Sequence, residues 1–318
     1  MHVSLSKAAS LLDAGTVVAV PTETVYGLAA RLDRPDAIAK IFTVKGRPKN
    51  NPLIVHIASA KDITGYVSEL PPDLDLLAQA FWPGPLTLIL PAIKESVPDI
   101  VRAGLHTVAI RVPDHPLTRE LLKITGPLVM PSANPSGKPS ATSSDHVEAD
   151  FGKDFPVLDG GECHKGVEST ILYWQDRVWT LARLGALAPE DFFSVLGYVP
   201  DVMLGMKSGE NGAPLCPGQL YRHYAPKAHL TLTTAIPLES CDVILGFDDR
   251  YYPKGSRLLS LGSSLHPEEA ARRLYAVLRQ LDNEGIEHAL VDVNTPDTGL
   301  WRTLRERLQK ASKTQLNN

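Results

Sequence analysis

Short apolar runs rich in β-branched residues alternate along the chain with stretches whose apolar positions recur every third or fourth residue. The first rhythm suits buried strands and the second amphipathic helices. Thr16 to Val20 reads as a strand ended by Pro21, which cannot donate to a ladder. Leu53 to Ile57 is another, interrupted by His56. Further strands are expected at Leu86 to Leu90, Thr107 to Val112, Leu128 to Met130 and Pro156 to Leu158, with Thr170 to Trp174 and Val178 to Leu181 as a hairpin. A first helix capped by Ser4 or Ser6 carries Leu5, Ala8, Ala9 and Leu12 and stops at Gly15. A second opens at Asp33-Arg34-Pro35 with the stripe Ile38, Ile41, Phe42 and Val44. Leu70 to Phe81, Leu117 to Ile124 and Pro189 to Leu196 complete the helices of this part. Strands and helices mix without strict alternation, which predicts an α/β fold with a mixed, twisted sheet and flanking helices.

From Pro200 to Pro226 glycine and proline break every pattern, so this stretch reads as a linker. Regularity then returns. Strands are expected at His229 to Thr233, Val243 to Phe247, Arg257 to Leu261 and Ala289 to Val293. Glu268 to Leu281 is strongly amphipathic, with Ala270, Leu274, Val277, Leu278 and Leu281 on one face, and Leu300 to Leu308 forms a last helix. The division is therefore a first domain over 1–199, a linker over 200–227 and a smaller Rossmann-like α/β domain over 228–318.

With 43% hydrophobic and 21% charged residues the composition is that of a globular protein. A net charge of −4 argues against a whole-surface nucleic-acid binder, so any anion site is a local cluster. No apolar run approaches the ~18 residues of a membrane span. The N-terminal pattern around Lys7 and Asp13 is an amphipathic helix and not a signal peptide, so a cytoplasmic location is expected. Cys163, Cys216 and Cys241 are isolated and suggest neither disulfides nor a zinc knuckle.

Common nucleotide signatures are missing: there is no Walker A sequence and no Gly-x-Gly-x-x-Gly after a strand. What stands out is residues 21–56. Hydroxyls at Thr22, Thr24 and Tyr26 alternate, so on extended backbone they share one face. Lys45, Arg47 and Lys49 leave the second helix in a loop broken by Gly46, Pro48 and Pro52. Cations beside a hydroxyl-rich turn suit a phosphate chain or a carboxylate, although a solvated basic loop beside a core histidine fits this segment equally well. Other polar groups sit at strand ends: Thr107 with Arg111, the turn Ser132-Ala133-Asn134 with Ser140 and Thr142 beyond it, and Gly166-Val167-Glu168-Ser169-Thr170 with Arg183 on the next strand. Tyr221-Arg222-His223-Tyr224 is unexpectedly rich in rings for a tether. The isolated His106, His115, His146, His164, His266 and His288 read as structural or solvent-facing.

Together these stretches resemble the threonylcarbamoyl-adenylate synthase family, whose catalytic module is the YrdC-type domain. The resemblance rests on Pro-Thr-Glu-Thr-Val-Tyr-Gly, Lys-x-Arg-Pro, Asn-Pro-Leu-Ile-Val-His, Trp-Pro-Gly-Pro-Leu-Thr, Arg-Val-Pro-Asp-His-Pro, Pro-Ser-Ala-Asn-Pro-Ser-Gly, Glu-Ser-Thr-Ile and Tyr-Arg-His-Tyr-Ala-Pro, in family order. It covers nearly the whole chain and looks like the two-domain form. It implies a YrdC-like fold and an enzyme, a nucleotidyltransferase making threonylcarbamoyl-AMP and pyrophosphate from L-threonine, bicarbonate and ATP, with Mg²⁺ accompanying ATP and no protein ligand for the metal identified. The product would pass to a downstream threonylcarbamoyl-transferase complex for tRNA modification; tRNA contact by this chain is not required.

By resemblance Lys45, Arg47, Ser132 and Asn134 are the catalytic signature. Thr24, His56, Arg111, Ser132 and Ser169 fall on the threonine side, and Arg47, Asn51, Thr107, Asn134, Thr142, Arg183 and His223 on the ATP side. The linker would act as a lid. One departure is visible: where the family has Ser-Pro-Gly-Met and a basic residue, this chain has Cys216-Pro217-Gly218-Gln219-Leu220. Two other readings compete, an RNA-binding module without turnover and a carbamoyl-transfer domain of hydrogenase maturation; acidic pI and few aromatics disfavour the first, and the lack of acylphosphatase or zinc-finger segments the second.

Overall fold

A computed structural model describes residues 1–203, 214–216, 223–235 and 241–312. Pro217 to Leu220, Tyr221, Arg222 and the glycine-rich 204–213 of the expected linker lie outside the described residues.

The first part of the chain forms a mixed sheet from β1 (Val18–Val20), β2 (Gly27–Arg31), β3 (Ile54–His56), β4 (Leu86–Pro91), β5 (Thr107–Arg111), β6 (Leu128–Val129), β7 (Thr170–Gln175) and β8 (Val178–Arg183). Their spatial order is β1-β2-β6-β3-β5-β4-β7-β8. β3–β5 and β4–β7 are parallel and the other neighbours antiparallel. The helices are α1 (Leu5–Asp13), α2 (Pro35–Lys45), α3 (Leu74–Phe81), α4 (Asp99–Arg102), α5 (Pro116–Thr125), α6 (Ser144–Phe151) and α7 (Phe193–Leu196).

Side-chain alternation splits the sheet into two faces. Leu28, Val55, Leu88, Ile110, Val129 and Leu172 share one core with Ile38, Ile41 and Phe42 of α2 and Leu77 of α3. On the reverse face, α1 and α5 cover Val18, Val20, Ala29 and Leu128. Beyond them the reverse face carries a smaller apolar cluster, Ile54, Ile89, Ala109, Ile171, Ala182 and the linker's Cys216.

The second sheet, order β11-β10-β12-β9, is wholly parallel: β9 (His229–Thr233), β10 (Val243–Gly246), β11 (Arg257–Ser260) and β12 (His288–Asp292). α8 (Pro267–Asn283) and α9 (Gly299–Ser312) supply Ala270, Leu274, Leu278, Trp301, Leu304 and Leu308 to its core. That core also takes in Val25 and Val167 from the first part of the chain.

Several sequence expectations are corrected. Val44 is 38% exposed while Lys45 is 3% exposed, because positions 38, 41, 42 and 45 complete the i, i+3, i+4, i+7 stripe and 44 falls off it. Lys45 is therefore the last residue of α2 and not part of the following loop. The helix expected from Leu70 starts at Leu74, after the two prolines. Pro156 to Leu158 is no strand; Val157 makes only isolated bridges to His2 and Ala19. β2 and α6 carried too few large apolar residues to be read from the sequence.

Candidate functional site

The reverse face of the sheet changes character along its strands. Ile54 and Ala109 pair in register and are apolar; two residues on, His56 and Arg111 pair in register and are polar. Alternation puts Thr87 on the same face as Ile89, and Ser169 on that of Ile171. Thr87 and Ser169 hydroxyls meet at 2.7 Å. The sheet thus ends in a row of polar groups above an apolar floor. Over that row lies a cleft of ≈ 570 Å³, open mouth included. Thr24, Arg47, His56, Arg111, Ser132, Ser169, Arg183 and His223 line it, with Val25, Ile54, Met130, Pro131, Glu168 and Tyr224.

Pro21 ends the first strand, and the chain beyond it turns instead of extending. Thr22 Oγ1 donates to the Val25 carbonyl at 2.6 Å and accepts from the Thr24 and Val25 amides at 3.2 Å. Since that proton is committed, Thr24 must donate in the 2.8 Å contact between the two hydroxyls. Thr24 Oγ1 in turn accepts from Arg111 Nη1 at 3.0 Å. Tyr26 leaves this face, contrary to the alternation expected: its hydroxyl donates to the Gly161 carbonyl at 2.8 Å and accepts from the Gly160 amide at 3.0 Å.

Arg111 also donates through Nε to the Gly84 carbonyl at 3.1 Å and through Nη2 to Glu23 Oε1 at 2.6 Å. Arginine has five N–H donors, so two remain without a partner among the described residues. Glu23, which was not singled out from the sequence, is buried and offsets this cation. Beside it, His56 Nδ1 lies 3.1 Å from the Ile54 carbonyl. A carbonyl only accepts, so Nδ1 carries the proton and Nε2 the lone pair. Burial, then the Arg111 charge, hold His56 well below the usual imidazole range, so the ring is neutral.

Elsewhere on the wall, Arg183 Nη2 donates to the Ser169 carbonyl at 2.8 Å and to its Oγ at 3.1 Å. Arg47 Nε reaches the Asn51 carbonyl at 3.2 Å and Nη2 the Pro52 carbonyl at 2.8 Å. Lys45 stands behind the cleft wall: its Nζ donates to the Ser132 and Asn134 carbonyls, and the Ser136 amide returns to its carbonyl at 2.8 Å. Burial, then the Arg47 charge, push its ammonium well below the ordinary lysine range. Burial likewise, with Arg47 second, brings His223 down to about 3. Burial alone would raise the Glu168 carboxyl, but Arg307 and Arg183, with hydrogen bonds from Ser140 and Tyr275, bring it down to about 2.

Three buried polar atoms here lack a hydrogen-bond partner among the described residues: Asn51 Oδ1, Asn134 Oδ1 and His223 Nε2. The Asn134 amide is oriented by donating to Pro135 and Lys138 carbonyls at 2.7 and 2.9 Å, which fixes its oxygen as the orphan. Orphaned buried groups in a native structure call for an explanation, and a ligand is one.

Thr107 lies at the far end of β5 from Arg111, and Thr142 lines a separate hollow, its Oγ1 3.2 Å from His146 Nδ1. Neither these two nor Lys45, Asn51 or Asn134 form the cleft wall. Among the described residues no group of three or more His, Cys, Asp and Glu is placed to hold a metal ion. No helix among the described residues is long and apolar enough to cross a membrane.

Residues 10–185 match the Sua5/YciO/YrdC family, described as "Telomere recombination", and residues 188–313 match "Threonylcarbamoyl-AMP synthase, C-terminal domain". A threonylcarbamoyl-AMP synthase of Bacillus subtilis is 39% identical over 97% of this chain and 92% of its own length. One from Pyrococcus abyssi is 37% identical over 96% and 93%. The crystal structure of P. abyssi Sua5 complexed with L-threonine superposes with a TM-score of 0.87 at 36% identity, covering 98% of this chain and 96% of that one.

Proposed function

The chain belongs to the threonylcarbamoyl-AMP synthase family, and from that premise we propose that it converts L-threonine, bicarbonate and ATP into threonylcarbamoyl-AMP and pyrophosphate, as a nucleotidyltransferase of the cytoplasm. The observation that carries this reading is the asymmetry of the cleft. One end offers guanidinium donors at Arg111 beside the neutral His56; at the other, behind the wall residues Arg47 and Ser132, the acceptor oxygens of Asn51 and Asn134 have no partner among the described residues.

The two ends suit the two substrates. A threonine carboxylate takes the remaining Arg111 donors as a charge-assisted pair. Its amine and hydroxyl carry protons that His56 Nε2 and the second lone pair of Thr24 can accept. The orphan amide oxygens need donors, which the amino group of adenine and the ribose hydroxyls supply and a phosphate does not. Phosphates would instead take Arg47 and Arg183.

Threonine amine and bicarbonate condense to a carbamate with loss of water. A carbamate oxygen then attacks the α-phosphorus, the bond to the β-phosphate oxygen breaks, and pyrophosphate leaves. That sequence requires no side-chain nucleophile. The protein's part is to hold the reactants together and to face the developing charge with fixed cations. Mg²⁺ would enter with ATP, as part of the substrate. The product would pass to a threonylcarbamoyl-transferase complex acting on tRNA, which requires no tRNA contact by this chain. The RNA-binding alternative has no observation in its favour.

Pyrophosphate release should depend on all three substrates and should collapse in Lys45→Ala and Arg47→Ala. Wild-type rates in both variants would refute the reading.

A further inference from the structure

The second domain does more than carry the end of the chain. Arg307 of α9 is fully buried, and its Nε donates to Glu168 Oε2 at 3.1 Å, across the domain boundary. Its Nη2 donates to the Leu184 carbonyl at 2.6 Å, and Nη1 is held by Glu306. The same guanidinium lies 4.8 Å from the ring centroid of Tyr224. Tyr224 stacks on Tyr275 of α8 at 5.4 Å and 22°, and the Tyr275 hydroxyl donates to Glu168 Oε2 at 2.8 Å. Ser140 adds a 2.6 Å bond to Glu168 Oε1.

Apart from Glu306, each group that Arg307 touches is the chain neighbour of a cleft residue. Glu168 precedes Ser169, Leu184 follows Arg183, and Tyr224 follows His223. One guanidinium therefore sets three segments relative to one another. α9 supports the second of them again through Thr303 Oγ1, which donates to the Gly185 carbonyl at 2.9 Å. Gly185 must itself lie close, since a Cβ there would stand 2.3 Å from the Thr170 amide nitrogen.

Resting on the synthase reading, we propose that Arg307 is a positioning residue of the cleft: it fixes Ser169 and Arg183 through Glu168 and the Leu184 carbonyl, and fixes His223 through the face of Tyr224. The threonine end is thus completed from the second domain, and the guanidinium plane is needed at the nucleotide end. A lysine at 307 keeps a charge for Glu168 but has no plane to lay over Tyr224.

The test compares Arg307→Met, Arg307→Lys and Tyr275→Phe with the wild-type chain by calorimetric threonine titration and by steady-state pyrophosphate release. Arg307→Met should weaken threonine binding about tenfold, the equivalent of roughly one hydrogen bond, and raise KM for ATP. Arg307→Lys should restore most of the threonine affinity while leaving the ATP KM high. Tyr275→Phe loses one hydroxyl that touches no substrate and should show the threonine defect in a well-folded chain, which keeps the test decisive if Arg307→Met fails to fold. A purely structural role would lower the melting temperature and leave both constants alone below it. Wild-type threonine affinity and ATP KM in the folded Arg307→Lys and Tyr275→Phe variants overturn the proposal. A wild-type chain that binds threonine but releases no pyrophosphate overturns the synthase reading instead, and the titration still decides this one.

Discussion

Replacing Arg111 by lysine keeps one positive charge and removes a fork. The arginine serves three acceptors in different directions: the Gly84 carbonyl, the Thr24 hydroxyl and the Glu23 carboxylate. A lysine ammonium can stay with Glu23, so two hydrogen bonds from a charged donor are forfeited. Each is worth about 1.5–3 kcal/mol. Settling of the polar cleft recovers part, so a loss of about 3 kcal/mol in unfolding free energy is expected, read from urea midpoints. The two uncommitted N–H groups, which we assign to the threonine carboxylate, go as well. Losing one charge-assisted bond there weakens threonine roughly 10- to 100-fold, measured by calorimetry. The two readouts separate the roles. Lost stability with unchanged threonine affinity would show that Arg111 is a strut for Glu23 and not an anion receptor. Unchanged stability would refute the hydrogen-bond reasoning itself.

Stability should fall as pH drops from about 6.5 toward 4. His56, His146 and His223 are all held below the ordinary value, His146 at about 4 and His223 at about 3, so the unfolded chain binds more protons in that window. The loss at pH 5 is at most about 2 kcal/mol per histidine and less for the half-buried His146 and His223. Glu168 cannot mask it, since its contribution is lost only as pH falls below the ordinary carboxylate range toward about 2, and in the same direction; a denaturation midpoint that holds or rises at pH 5 contradicts the assignment. ATP binding at alkaline pH should take up protons, because a phosphate chain near the destabilised Lys45 ammonium restores its charge. Binding enthalpies should then vary with buffer ionisation heat in the wild type and not in Lys45→Met, and equal slopes in the two would exclude Lys45 as the acceptor. Gly166→Ala should cost about 3 kcal/mol, since φ is +70° and the added Cβ would lie 2.3 Å from the Ala271 carbonyl oxygen; an unshifted melting temperature would show that α8 yields freely.

Elements with strong periodicity were legible in the sequence. α8 and the central strands follow directly from burial of apolar side chains at helical or strand spacing. β2 was not, because Gly27-Leu-Ala-Ala-Arg31 has little β preference and is a strand through its pairing with β1 and β6. In the cleft, cations and hydroxyls at strand ends could be picked out because such groups are unusual there. Their acidic partners were missed. Glu23 and Glu168 sit inside motifs legible in the sequence, but only the fold decides which cation each carboxylate meets. Lys45 illustrates the reverse: its position on the buried stripe of α2 follows from counting seven residues on from Ile38. Nothing local in the sequence marks Arg307 or Tyr275, whose significance arises from contacts more than a hundred residues away.

Val25, Val167 and Tyr224 belong to the apolar interior of the second domain, yet Val25 and Tyr224 also line the cleft and Val167 adjoins its residue Glu168. Substitutions in that interior therefore reach the cleft wall through side chains that belong to both. Natural selection can adjust how tightly this chain holds its substrates by repacking an interior most of which lies outside the cleft, leaving the chemistry untouched.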